Sequence, residues 1–373
     1  MNKVQISVDG EHFTRDGESF FWIGDTVWSA FTNATIEEWQ EYLDFRAAQG
    51  FNVLQINTLP QWDRVCPDLG IYPYPLRQDG SLDYAAAPNP AYVERARGMC
   101  RMAVDSGFTL ALVVCWANLI PGTWLTRLFP SHAWPMRAVE AHTSRVIEWF
   151  DEFAPVYVAS GDTDLQAPET RHYYLRCLEI LKSDAPKALR TMHLCGESTN
   201  LTPELAEGLD FYMYQSGHGV HSVEVLDEMP RQIRMKFPGK PILNAEPCYE
   251  GMPKLTGDAD RPSTEAYTAK EVVDACRRSI LAGAKAGITY GANGLWNWRR
   301  EEGVAEGLAA KLYQQPAIWR DAMRFPGAKE IVALQKYAFS SYQMLLRCLD
   351  CGGAFLIHPG IHELRSASDI HSA

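Results

Sequence analysis

The chain has 373 residues, and its 35 Lys and Arg against 46 Asp and Glu give a net charge of −11 with no basic stripe, which excludes nucleic acid and anionic membrane as natural partners. Nine Cys scattered singly suit reduced, buried thiols rather than a disulfide framework. The longest apolar stretch near the middle, Leu110–Trp116, is too short to span a bilayer. The first ten residues alternate like a strand, so no signal peptide is read and a cytoplasmic location is expected.

In chain order, residues 1–19 read as a lid of short strands with turns at Asp9-Gly10 and Asp16-Gly17. Phe20–Ile23 begins strand one, and Thr35 caps a helix whose Ile36, Trp39, Tyr42 and Leu43 form one stripe up to Gly50. Strand two covers 51–58. The aromatic, Pro-rich excursion from Pro60 to Pro90 is longer than an ordinary connection, which marks it as functional. Strand three (108–116) precedes an insertion carrying Trp124 and Trp134. Strands four (156–160), five (189–194), six (211–216), seven (241–245) and eight (287–291) follow, with helices between them and a final helix over 316–346. Eight strand–helix units predict an α/β chain, a (β/α)8 barrel over 20–346, with no second domain and a tail at 347–373.

Chemistry in such a barrel sits at the carboxyl ends of the strands. Those ends carry Asp25 and Trp28, Asn57, Trp116, Asp162, His193, Gln215 and His218, Glu246, and Trp296 with Trp298. Asp162 after strand four and Glu246 after strand seven face each other across the mouth. Two carboxylates among amides and aromatics suit a sugar, whose hydroxyls pair with the polar groups and whose ring face packs on indole. Retaining glycosidases hold their carboxyl groups about 5–5.5 Å apart and inverting ones about 6.5–9.5 Å. Either geometry is open at this stage, as are a transglycosylase on the same site and a catalytically silent sugar-binding barrel.

Several motifs then line up with one family. Phe20–Trp28, Tyr42–Arg46 with Gly50–Gln55, Tyr214–His218, Lys240–Pro247 with Tyr249-Glu250, and Thr289–Trp296 resemble, in order, the apiosidase-like glycoside hydrolases of family 140. The resemblance implies a (β/α)8 barrel that cleaves a glycosidic bond without cofactor, with an Asp after strand four as acid/base and a Glu after strand seven as nucleophile. Those roles fall on Asp162 and Glu246. It also implies a pectin-type plant cell-wall oligosaccharide as partner, with apiose released, and draws Tyr249 and Tyr290 into the substrate-binding set.

Two departures stand out. Ser160-Gly161-Asp162-Thr163-Asp164 replaces a Gly-Gly-Asp motif, leaving Asp164 as a second acid candidate, and His193-Leu194-Cys195-Gly196-Glu197 replaces His-Pro followed by glycines. Glu250 is a second candidate nucleophile. Plainer readings stand beside the sharper ones. Asp25 binds a sugar or caps a turn, His193 contacts substrate or is a satisfied strand-end histidine, and each Trp is a platform or packing. No metal site is expected: His218 and His221 lie in a Gly-rich loop without a third ligand, and Cys348-Leu349-Asp350-Cys351 has no second pair. Gly291-Ala292-Asn293-Gly294 lacks the Lys-Ser/Thr of a phosphate loop, and no Gly-x-Ser-x-Gly elbow occurs.

Overall fold

The computed structural model describes residues 3–63, 66–220, 225–257, 263–300, 314 and 316–335. The chain divides into a unit spanning Met1–Val332 and a second, Ala333–Ala373, of which only 333–335 are described. The tail at 347–373, with Cys348 and Cys351, therefore lies outside the described residues, as do His221 and the part of the expected final helix beyond 335.

Three short strands, β1 (Val4–Ile6), β2 (Phe13–Arg15) and β3 (Glu18–Phe20), form an antiparallel sheet. Eight parallel strands then follow: β4 (Trp22–Thr26), β5 (Val53–Asn57), β6 (Thr109–Trp116), β7 (Val156–Gly161), β8 (Arg190–Thr191), β9 (Tyr212–Gln215), β10 (Ile242–Glu246) and β11 (Gly287–Tyr290). Their order is β8-β7-β6-β5-β4-β11-β10-β9, the circuit of a (β/α)8 barrel. Strand five is the departure from expectation. Only Arg190–Thr191 joins the ladder, and the seam to β9 is bridged by one backbone bond, the Asp210 N–H to the Arg190 carbonyl (2.8 Å), and by two side chains: the Arg190 N–H donates to Asp210 Oδ2 (2.7 Å) and Thr191 Oγ1 to the Phe211 carbonyl (2.9 Å).

The small sheet packs its buried Phe13 against Trp22 (6.1 Å between ring centroids) and Phe211 (5.0 Å), both at the amino ends of barrel strands. The expected lid therefore plugs the floor of the barrel, not its mouth. Apolar side chains pointing inward, among them Trp22, Val53, Val113 and Leu243, continue that plug as the barrel core.

Alternation along the strands decides which strand-end residues reach the mouth. On β4, Trp22 and Gly24 face the barrel axis, because a Cβ on Gly24 would meet Thr289 Oγ1 and Trp22 Nε1 at 2.6 Å. Asp25 therefore points outward, toward the helix Ile36–Gln49. That helix begins at Thr35, whose hydroxyl accepts the Glu38 N–H while the Glu38 carboxylate accepts the Thr35 N–H, and ends at Gly50 with φ of 100°, a conformation that favours glycine. From it, Tyr42 donates to Asp25 Oδ2 (2.7 Å) and Arg46 Nε to the same oxygen (2.6 Å), both partners of the ion pair being fully buried. Arg46 also donates to the Met323 carbonyl (2.8 Å) and lies over the rings of Phe51 and Tyr290. Burial works against the Arg46 charge, and Asp25 beside it more than offsets this, pushing its pKa up.

Breaking such a pair leaves one charge buried without its partner, a loss of about 3–5 kcal/mol. Arg46→Met is therefore expected to lower the unfolding free energy by that much, read as a fall in the urea midpoint. The double variant Asp25→Leu/Arg46→Met, which removes both charges, should recover part of the loss in the same unfolding measurement; an Arg46→Met midpoint equal to wild type would show that the pair does not hold the barrel wall.

Candidate active site

Strict alternation on β10 would also turn Glu246 outward. Leu243 and Ala245 belong to the barrel interior, and Asn244 points outward, donating from Nδ2 to Ser216 Oγ (2.9 Å) and Ser279 Oγ (3.0 Å). The pairing with β9 slips at this point: Asn244 lies opposite Tyr214, and Glu246 opposite Gln215. This extra residue is a bulge that re-aims the chain and brings the Glu246 side chain into the mouth.

Two histidines receive it. His218 Nε2 lies 2.8 Å from Glu246 Oε1, and His193 Nε2 lies 3.3 Å from Oε2. On each ring a backbone N–H, of Tyr249 for His218 and of Asp162 for His193, donates to Nδ1 at 3.4 Å. On each ring it is Nε2 that faces the carboxylate, and at His193 burial is outweighed by the Glu246 and Asp162 carboxylates, which push the pKa up. Burial alone would raise the Glu246 pKa, but the two histidines outweigh it and hold the carboxyl well below its usual range.

Asp162 reaches the same point from β7. Gly161 precedes it at a place where a Cβ would run into the Trp116 ring at 2.2 Å, so only glycine lets that indole pack against the strand. Asp162 itself takes φ of 50°, the left-handed region that Asp tolerates better than most residues, and this turn swings its side chain inward. The donor atoms of Asp162, His193 and Glu246 all lie within 4.8 Å of one another. Burial first, and the neighbouring Glu246 charge second, push the Asp162 carboxyl up to about 7. One ionised and one protonated carboxyl thus share the mouth, a pair whose environments separate an acid from a nucleophile.

The carboxyl groups stand at the base of a cavity of about 430 Å3. Of the residues expected at the site, Trp28, Trp116, Asp162, Gln215, His218, Glu246, Tyr249 and Trp296 line it. Tyr249 is held by Trp28 Nε1–H (3.0 Å) and fits because Gly291 has no Cβ to strike its ring, and burial together with the Glu246 charge keeps its phenol protonated.

His193 lies behind the two carboxylates, fully buried, and is not a wall of the cavity. Asp25 and Tyr290 are corrections. Both sit on outward-facing positions, Asp25 bound to Arg46 and Tyr290 donating to Glu250 Oε2 (2.7 Å), and neither reaches the cavity. Asn57 folds its own loop instead, donating to Gln61 Oε1 (2.9 Å) and accepting the Leu59 N–H (3.2 Å).

The reserve candidates are placed as firmly. Asp164 accepts the Trp124 N–H (2.7 Å) and pairs with Arg127 (3.0 Å), and Glu250 also accepts the Gly327 N–H (3.0 Å). Trp298 stacks on Trp319 with ring centroids 4.9 Å apart, away from the cavity. Strand-end reasoning missed Gln61, Trp62 and Asp63 on the loop after β5, Trp124 on the loop after β6, and Glu197 after β8, all of which line the cavity. Their signal was the unusual length of the first loop and the aromatic content of both.

Among the described residues, Asp162, His193 and Glu246 form the cluster compact enough to take a metal ion. The backbone N–H on His193 Nδ1 leaves the proton on the Nε2 that faces Glu246, so a cation there would have to displace it.

The raised pKa has a consequence for stability. The Asp162 carboxyl titrates at about 7 in the fold against 3.8 unfolded, so its contribution is fully present below the unfolded value and is lost as pH rises through about 7. Asp162→Asn is expected to raise the urea midpoint at about pH 8 and leave it nearly unchanged at about pH 4. The gain is on the order of 1–2 kcal/mol, held down by the partial solvent exposure of the carboxylate. No gain at the higher pH would mean that the carboxyl is ionised there without strain.

Comparison with known proteins agrees with this geometry. Residues 7–345 match the family described as "Apiosidase-like, catalytic domain". Among solved structures, a glycoside hydrolase family 5 protein from Bacteroides vulgatus shares 20% identity with a TM-score of 0.71, over 89% of this chain and 71% of that one. A family 5 mannosidase from Rhizomucor miehei, solved with mannosyl-fructose, shares 12% with a TM-score of 0.63, over 92% of this chain and 99% of that one. At these identities the two structures speak for the barrel fold alone. No curated protein matches the chain. With the family matched along nearly its whole length and a carboxylate pair at the mouth of the barrel, the chain belongs to the apiosidase-like family and is a glycoside hydrolase.

Proposed function

We propose that this enzyme is a retaining, exo-acting glycosidase that releases an apiose-like terminal sugar from pectin-type plant cell-wall oligosaccharides. The observation that carries the stereochemistry is the spacing of the two carboxyl groups. An oxygen of Asp162 and one of Glu246 approach within 4.8 Å, which supports the closer arrangement of carboxyl groups that retaining enzymes use, about 5–5.5 Å apart. The sugar class rests on the family and on an aromatic floor, Trp28, Trp116 and Trp296, that suits the apolar face of a ring.

In the first step Glu246, ionised and steadied by His193 and His218, attacks the anomeric carbon while Asp162 gives its proton to the leaving oxygen. A covalent glycosyl-enzyme forms and the aglycone departs as an alcohol. In the second step Asp162, now a base, takes a proton from water, whose oxygen displaces Glu246 with a second inversion, and configuration is retained. As the ester forms, the Glu246 charge that adds to burial in raising the Asp162 pKa disappears, so the residue gives up its proton more readily and stands ionised when it has to act as a base.

Purified wild type incubated with a panel of plant cell-wall oligosaccharides, including apiose-bearing ones, should release a monosaccharide whose anomeric configuration, read by NMR at early times, equals that of the substrate. An inverted product would end the double-displacement reading. Glu246→Gln should lose at least about a thousandfold in kcat on the same substrate; near wild-type turnover would remove Glu246 from the mechanism. Because Asp162 must hold its proton in the first step, wild-type kcat/KM should fall as pH rises through about 7. That limb should vanish in Asp162→Asn assayed on an activated aryl glycoside, and its persistence would assign the proton to another group.

A further inference from the structure

Two tryptophans supplied by loops rather than by strand ends form the wall of the cavity beside Asp162. Trp62, from the loop after β5, and Trp124, from the loop after β6, meet edge to face with ring centroids 5.9 Å apart, and Phe129 backs Trp62 at 5.8 Å. Both indoles line the cavity and both are only partly buried, unlike the almost completely buried Trp28, Trp116 and Trp296 at its floor. Phe129, by contrast, is not part of the lining.

Their attachment tells which part of a substrate they meet. Trp124 Nε1–H donates to the Asp162 carbonyl (2.8 Å), and the Trp124 backbone N–H donates to Asp164 Oδ1 (2.7 Å). Trp124 is therefore tied twice, once by its indole and once by its backbone, to the short segment that carries the proton donor. Glu246, in contrast, has His218 at one carboxylate oxygen and Tyr249 beside it. A glycosidase acid stands beside the oxygen that joins the cleaved sugar to its leaving group, so a wall fixed to the acid lies on the leaving-group side.

We propose that Trp62 and Trp124 form the leaving-group subsite and select a sugar, stacked by its C–H face, as aglycone over a small alcohol. This deepens the proposed function and rests on its assignment of Asp162 as the acid. Contact with the second sugar would be realised while the bond to it is breaking, and binding made away from the reacting carbon would thereby contribute to the rate of that step.

The test compares two probes with the same glycone, an apiose-terminated disaccharide and apiosyl fluoride, whose leaving group is a single atom. Trp62→Ala is the informative variant, because Trp62 touches Trp124 and Phe129 without a hydrogen bond to the acid segment. The ratio of kcat/KM for the disaccharide to that for the fluoride should drop at least tenfold, the scale of a truncated Trp anchor. The high-pH limb of the disaccharide profile should stay near 7, which a displaced acid would not allow. Trp124→Phe, which keeps a ring and loses the Nε1–H, should drop the ratio less than Trp124→Ala. An unchanged ratio in Trp62→Ala, or an equal fall on both probes, would overturn the subsite. If wild type turns over neither apiose probe, the apiose reading fails by itself, and the same pair is made from the sugar that the oligosaccharide panel releases, where the ratio decides the subsite on the same terms.

Discussion

Two carboxyl groups whose oxygens lie within 4.8 Å of each other, in a cavity lined mostly by aromatic and apolar side chains, cannot both carry charge without a large electrostatic penalty. The surroundings resolve this by treating the two unequally. Glu246 is hydrogen-bonded to His218 Nε2 at one oxygen and has His193 Nε2 3.3 Å from the other, each ring with a backbone N–H on its other nitrogen, and so takes the charge. Asp162, beside that charge and largely out of water, keeps its proton to about pH 7. One local asymmetry thus separates an ionised from a protonated carboxyl, and the bulge in β10, the left-handed turn at Asp162 and the absence of a Cβ at Gly161 serve to bring the two groups to it.

Outside the strands a second polar system does structural work. Asp25, Tyr42, Arg46, Tyr290 and Glu250 are all buried and connected through hydrogen bonds or ring contacts, on the side of β4 and β11 that faces the helices. The two systems share neighbouring strands and differ in which way the side chains point. Separating them lets the mouth hold strained geometry and a displaced pKa, while the wall behind it is anchored by an ion pair and stacked rings.

The cavity is a joint product of barrel and loops. The strand ends provide the reacting groups and the aromatic floor, on elements rigid enough to hold them to a fraction of an ångström. The loops after β5 and β6 raise the wall next to the acid and carry Trp62 and Trp124, the residues on which discrimination between leaving groups would rest. A division between a constant reacting floor and loop-borne selection is what lets one barrel support many sugar specificities.

Much of this was legible in the residues. Eight alternating strand–helix units fix the barrel, and Thr35 with Glu38 and Gly50 specify the first helix in detail, because local propensity, capping and apolar periodicity depend on near neighbours in the chain. Asp162 and Glu246 were visible as carboxylates at strand ends, and their distance from one another was not. Which way a strand-end side chain points depends on the phase of alternation and on where that phase slips: in-phase counting explains why Asp25 and Tyr290 face the helices, and only the register shift against β9 explains why Glu246 does not. The antiparallel sheet was readable as strands but not as a floor plug, since that position is set by Phe13 meeting Trp22 and Phe211, almost two hundred residues apart in the case of the last. The sequence by itself determined the barrel, its reacting residue types and their places at strand ends. Tertiary structure decided their orientation, charge state and company, because each of these arises from groups distant in the chain and close in space.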